Sequence, residues 1–385
     1  MPLTGIKVLD LTRLLPFGYG SMLLADMGAE VIKIEEPTMG DYMRWIPPVN
    51  IKENYVFLST NRNKKSVSLN LKEEEGRDIF CRLATKADVI FESFRPGIVK
   101  KLGIDYERIK KINPQIVYCS CSGFGQTGPY SQRAGHDINY LGISGVLGVC
   151  GRHLDAPVVP GVPVADMTSG VFCALSICAA LAGRVNSKEG KYIDISMTDC
   201  MVSYMHVYGA ALFGKSPEIL PINGGHGRYE TFETKDGKFI TLGNVEDKFW
   251  QNLCDLIDRE DLKKYPFEKT SKDKEMLSEL RDLFRTKTRE EWLSLLDGKD
   301  ICYGPVNEID EIFSDPQIKA RNMYIEVDHP VEGKIGQIGS PIKFEGESLT
   351  VRCPPPRLGE NTDEILQECG YSKEEIDKYR KAKII

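Results

Sequence analysis

No C-x-x-C pair and no Cys/His cluster occurs among the eleven cysteines of this 385-residue chain, which argues against a zinc site and against a disulfide framework. Cys119 and Cys121, Cys173 and Cys178, and Cys200 read instead as free thiols of a reducing compartment. The opening MPLTGIKVLDL lacks a basic n-region, a long apolar run and a cleavage-like site, so no secretory signal is expected. No apolar run reads as long enough to span a bilayer, and the expected location is the cytoplasm, with no membrane partner. Basic residues are in deficit, 50 Lys and Arg against 56 Asp and Glu, and the formal net charge of -6 speaks against a broad nucleic-acid surface. Internal repeats and low-complexity segments are missing too. What remains is ordinary globular material, 41% hydrophobic and 28% charged, long enough for one large core or two smaller ones.

The pattern along the chain is that of an α/β protein. IKVLDL reads as a buried strand, TRLLPFGYG as a loop, SMLLADM as a helix stopped at Gly28, and EVIKIE as the next strand. Further strands are expected at KSVSLNL, ADVIFES and QIVYCSCS, alternating with helical EEEGRDIFCRLATK and YERIKKI, which is the order of a mostly parallel, Rossmann-like sheet covered by helices. A helix from about Gly170 to Val185 is followed by GKYIDISMTDCMVSYMHVYGAALFG, read as a strand and one long helix. The Pro/Gly-rich KSPEILPINGGHG looks like a linker, and RYETFETKDGKFITLGN like a hairpin turning at Lys235-Asp236-Gly237. The expected division is a large domain over 1–215, a linker at 216–227, a smaller α+β domain over 228–324, and a last segment, 325–385, with strand-like IEVDHP and a GKIGQIG turn.

The first βα turn, GYGSML, begins like the dinucleotide fingerprint but has Leu23 where its third glycine belongs, while Glu35 and Glu36 close the next strand. A nicotinamide-dependent dehydrogenase is therefore a rival reading, tested by thermal stabilisation with NAD. Two small-residue loops hold sharper chemistry. Gly135-His136-Asp137-Ile138-Asn139-Tyr140 opens a run rich in Gly and Ser, and VPGVPVADMTSG sets Asp166 before the apolar helical pattern GVFCALSICAALAG. An Asp in that place is most often a helix cap, and a His in a Gly-rich turn is most often structural. Together they place an imidazole and a carboxylate on separate loops, beside helix N–H groups able to face an oxyanion.

With GIKVLDLTRLLPFGYGSMLLADMGAEVIKIEEP, NRNKKSVSLNLK, SFRPGIVKKLGIDYE, SPIKFEGES and PPPRLGENTDEIL, this pair resembles the family III coenzyme A transferases, and within that superfamily the α-methylacyl-CoA racemase branch. The resemblance implies a C-terminal segment that returns to the large domain and an interlocked homodimer. It also implies an acyl-CoA substrate that brings coenzyme A with it, so that no prosthetic group and no metal is expected. As a racemase, His136 and Asp166 would be the base/acid pair, Met167 N–H the oxyanion donor, and Glu246 of GNVEDKFW the partner of the histidine. Glu246 is equally readable as a charge at a helix N-terminus. As a transferase, Asp166 would attack the thioester and carry CoA as an aspartyl thioester. His226-Gly227-Arg228 and Asn361 depart from the racemase pattern. Coenzyme A presents a 3′-phosphate and a pyrophosphate, for which Arg13, Lys33, Arg62, Lys64, Lys65 and Arg95 are the candidate cations on loops at strand ends.

Overall fold

A computed structural model describes residues 1–46, 54–151, 156–216, 221–346 and 351–385. Six strands, β1 (Lys7–Leu11), β2 (Glu30–Glu35), β3 (Lys64–Ser68), β4 (Val89–Glu92), β5 (Val117–Ser122) and β6 (Lys191–Ser196), pair in parallel in the order β3-β2-β1-β4-β5-β6. Every residue of β4 and β5 is buried, as expected of inner strands covered on both faces. This is the doubly wound α/β class. The direction of winding reverses between β1 and β4, which opens a crevice beyond their carboxyl ends.

The segment read as a loop after β1 is the start of a helix, α1 (Leu14–Asp26). Pro16 fits because it lies in the first turn, where no intrahelical acceptor awaits its missing N–H. Gly20 fits because the Val164–Ser187 helix crosses so closely that a Cβ there would stand 2.7 Å from Gly170 O, and a Cβ on Gly170 would stand 2.3 Å from Pro16 O. Close packing overrides the poor helix propensity of glycine. The 164–187 helix also corrects the membrane reading, since its length and mean hydropathy of 1.7 are enough for a bilayer. Its buried face, including Ala165, Ser169, Gly170, Cys173 and Ile177, serves the core of the α/β unit.

Contacts divide the chain into two units. The first is Met1–Ser144, Val162–Met201 and Pro316–Ile385; the second is Gly145–Gly161 and Val202–Asp315. Residues 145–161 and 202–215, expected in the large domain, thus fall in the second unit, and 316–324 fall in the first. The segment after β6 is two helices, Met197–Ser203 and His206–Phe213, rather than one. In the first unit, β10 (Tyr324–His329) and β11 (Gly333–Ile338) form an antiparallel hairpin, so GKIGQI is a strand and not a turn. Asn361 donates its N–H to Ser66 O at 2.9 Å and accepts Ser66 N–H at 3.0 Å, which ties the last segment to the sheet edge at β3.

The second unit has the foreseen hairpin, β7 (Tyr229–Glu233) and β8 (Phe239–Gly243), plus β9 (Tyr303–Val306). Pro305 masked β9 in the sequence. It is tolerated because β9 is an edge strand. Trp250 and Trp292 anchor this core, each donating its indole N–H to a carbonyl, Leu262 O and Phe284 O, at 2.7 Å.

Candidate active site

A cavity of about 470 Å³ opens at the crevice of the first unit, and His136, Tyr140 and Asp166 share its wall with Leu14, Phe17 and Arg95. His136 precedes the Asp137–Ile143 helix, and its N–H is held by Asn139 Oδ1 at 3.0 Å, leaving the side chain exposed. Asp166 sits inside the first turn of the 164–187 helix, whose cap is Pro163 and not the aspartate. The Asp166 carboxyl has no hydrogen-bond or ion-pair partner among the described residues. Burial, helped by the neighbouring charge of Asp137, pushes it up to about 7.

Asp137 joins the two loops. Its Oδ1 accepts the N–H groups of Ala165 at 2.7 Å and Asp166 at 3.1 Å. Met167 N–H is engaged by Pro163 O at 3.0 Å, which corrects the expectation that it is the open oxyanion donor. The same wall carries strain. Leu14 has φ 68, a left-handed conformation costly for leucine, and is held there by Asp41 Oδ1, which accepts its N–H at 3.0 Å. Asp41 is itself buried and paired with Lys33 at 2.9 Å.

A second cavity of about 650 Å³ adjoins the first, sharing Leu14, Phe17, Ser93, Phe94 and Arg95 with it and adding Arg13 and Lys72. Arg95 is exposed, and its guanidinium has no partner among the described residues. Arg13 lies over the rings of Phe94 and Tyr42, 5.0 and 5.3 Å from their centroids, and donates to Tyr42 Oη at 3.3 Å. Arg13, Lys72 and Arg95 follow β1, β3 and β4, on the side where parallel sheets bind ligands.

The other four candidate cations are elsewhere. Lys33 is fully buried, giving its ammonium to Thr12 O at 2.8 Å and to Asp41. Arg62 is held by Asp26 at 2.6 Å and by Ile338 O at 2.7 Å. Lys64 donates to Gly18 O, Ser21 Oγ and Asn61 Oδ1 and lies 3.5 Å from Asp10, while burial pushes its ammonium down to about 8. Lys65 stays at the surface in ion pairs with Glu364 and Glu30. Arg62 precedes β3 and Lys64 and Lys65 are its first two residues, so all three lie at its amino end, and Lys33 is inside β2. None of the four reaches the crevice.

The model of CoA-transferase family III matches residues 3–362. The chain belongs to CoA-transferase family III. It is 36% identical to the human succinyl-CoA:glutarate CoA-transferase over 95% of this chain and 86% of that one. It is 32% identical to the human alpha-methylacyl-CoA racemase over 100% of this chain and 98% of that one. A CAIB/BAIF family protein from Brucella suis superimposes with a TM-score of 0.81 at 32% identity, covering 96% of this chain and 99% of its own. The names of these family III relatives therefore divide between CoA transfer and racemisation.

Against that family background, two residues that sequence reasoning missed gain weight. Asp137 was in view in GHDINY, but its acceptors' partners lie 28 and 29 residues away. Lys72 had a legible signal, as a cation just after a strand. The departures at His226 and Arg228 are structural: both are fully buried, with Arg228 donating to Asn244 O, Tyr265 O and Val245 O, and His226 stacked on Tyr265. Glu246 is exposed in the second unit, where it precedes the Asp247–Leu256 helix without a side-chain capping bond.

Proposed function

We propose that the chain is an acyl-CoA racemase or epimerase that inverts the α-carbon of a 2-methyl-branched acyl-CoA by 1,1-proton transfer. The observation that supports this most is the placement of an imidazole, His136, and a carboxyl raised to about 7, Asp166, on the wall of one cavity. Inversion runs in both directions, so each group must act as acid and as base near neutral pH. Burial brings the Asp166 carboxyl into that range. One group takes the α-proton, the electron pair moves onto the thioester oxygen, and the other returns a proton to the opposite face. With Met167 engaged, the first-turn N–H of Leu15 at the start of α1 is the donor proposed for the enolate oxygen.

Coenzyme A would arrive with the substrate, its phosphates met by Arg13, Lys72 and Arg95 in the second cavity, with no prosthetic group involved. We also infer a cytoplasmic location, and a homodimer, the latter supported by the apolar face that the 164–187 helix leaves open at Val171, Leu175 and Val185, 45%, 60% and 65% exposed. The second reading is a CoA transferase with Asp166 as nucleophile. It is favoured by the unbonded carboxyl and by the 36% identity to a CoA-transferase. Incubation of a 2-methylacyl-CoA in deuterium oxide, with and without a free carboxylate acceptor, separates the two. Racemisation gives α-deuterium in recovered thioester without acceptor, and transfer without such uptake rejects it.

A further inference from the structure

Glu92, the last residue of β4, is a buried acid outside the proposed proton-transfer pair. Its side chain is within a residue that is 1% exposed, and no cation forms an ion pair with it among the described residues. Its Oε2 accepts the N–H of Phe94 at 2.7 Å and so closes the turn that leaves the strand. Ser120, also 1% exposed, stands opposite it in the register of β5. Burial pushes the Glu92 carboxyl up to about 7, more than the Phe94 N–H holds it down.

The turn that Glu92 closes carries much of the wall between the two cavities. Ser93 Oγ accepts Arg13 N–H at 3.0 Å, the Phe94 ring lies beneath the Arg13 guanidinium, and Arg95 projects next along the chain. One carboxyl thus fixes the main chain from which Arg95 hangs and the ring on which Arg13 rests. We infer that Glu92 is a positioning residue of the acyl-CoA site, holding Arg13 and Arg95 where an anionic nucleotide end is bound. This rests on the reading of the second cavity as the coenzyme A site. A plain structural role would have Glu92 stabilise the turn without affecting ligand affinity.

The test is calorimetric titration of the full-length protein with free CoA, with thermal unfolding recorded for each variant. Glu92→Ala should weaken CoA binding about 10-fold, the worth of one charge-assisted contact. Glu92→Gln, which keeps an oxygen for Phe94 N–H, should bind within about 2-fold of the parent. The double variant Glu92→Ala/Arg95→Ala should lose less than the product of the two single losses, because Glu92 acts in part through Arg95 and in part through Arg13. Should Glu92→Ala fail to fold, Glu92→Asp serves instead, its shorter side chain being unable to keep the Phe94 bond in place. Parent-like CoA affinity in folded Glu92→Ala or Glu92→Asp, with Arg95→Ala weakened, overturns the inference and leaves the cavity assignment standing. Unchanged affinity in Arg95→Ala overturns the assignment, and the inference with it.

Discussion

The cations at the two ends of the parallel sheet behave as different materials. Around residues 62–65, at the amino end of β3, Arg62 and Lys64 are buried and paired with Asp26 and Asp10. Beyond the carboxyl ends of β1, β3 and β4, Arg13, Lys72 and Arg95 are open to a cavity. A buried guanidinium with its carboxylate is part of the fold, and its loss exposes the partner as an unpaired charge. An open guanidinium is retained at no such structural need and is free to meet a ligand. The same charge, one sheet length away, is scaffold in one place and recognition in the other.

The largest expected effects lie in the crevice at the carboxyl end. His136→Ala and Asp166→Asn should each lower α-proton exchange by about 10²- to 10⁴-fold, the usual worth of a positioned acid or base, with CoA affinity nearly unchanged. Exchange monitored by deuterium uptake checks both, and a near-normal rate in His136→Ala removes the racemase reading. Next comes the scaffold. Lys64→Met removes one of the two ammonium groups beside the buried Asp10 carboxylate and the donor to Gly18 O and Asn61 Oδ1, and should cost about 3 kcal/mol of stability, measured by denaturant unfolding. The folded fraction should bind CoA normally; a selective loss of affinity would erase the distinction between the two ends.

Arg95→Ala should raise KM for an acyl-CoA about 10-fold with a smaller change in kcat, and the loss should shrink at high salt. Salt-independent loss would point to packing instead of charge. The pH dependence of stability sharpens the contrast further. The Asp166 carboxyl is raised from 3.8 to about 7 on folding, so its contribution is complete below 3.8 and is lost as pH rises through 7. Asp166→Asn, which cannot ionise, should therefore gain in melting temperature relative to the parent as pH goes from 4 to 8. A pH-independent difference would mean that Asp166 ionises in the folded protein as it does unfolded. The smallest effect belongs to Lys65→Ala, whose surface ion pairs should be worth under about 1 kcal/mol and nothing in CoA affinity.

The sheet was legible because strands such as EVIKIE and QIVYCSCS are apolar runs bounded by turn signals, and parallel strands buried on both faces are written that way. The start of α1 and the strand β9 were not, because Pro16, Gly20 and Pro305 oppose the local assignment and only close helix packing or an edge position admits them. His136 and Asp166 could be named from their loops, and the cavity unites them. The misreading of Lys33, Arg62 and Lys64 has a single cause: position before or within a strand was weighed like position after it, while the carboxylates that bury them sit as far as 54 residues away along the chain for Lys64 and Asp10. Asp137 shows the same limit from the other side, since its work is done on main-chain N–H groups of a distant loop.

The claim that Asp166 moves protons and carries no acyl group is tested most directly by trapping. The protein is mixed with a 2-methylacyl-CoA in deuterium oxide, quenched with hydroxylamine, and the peptide containing Asp166 is weighed by mass spectrometry alongside the recovered thioester. Proton transfer predicts an unmodified peptide and deuterium at the α-carbon. A substrate-dependent adduct on Asp166 without deuterium uptake would contradict it and make the chain a CoA transferase.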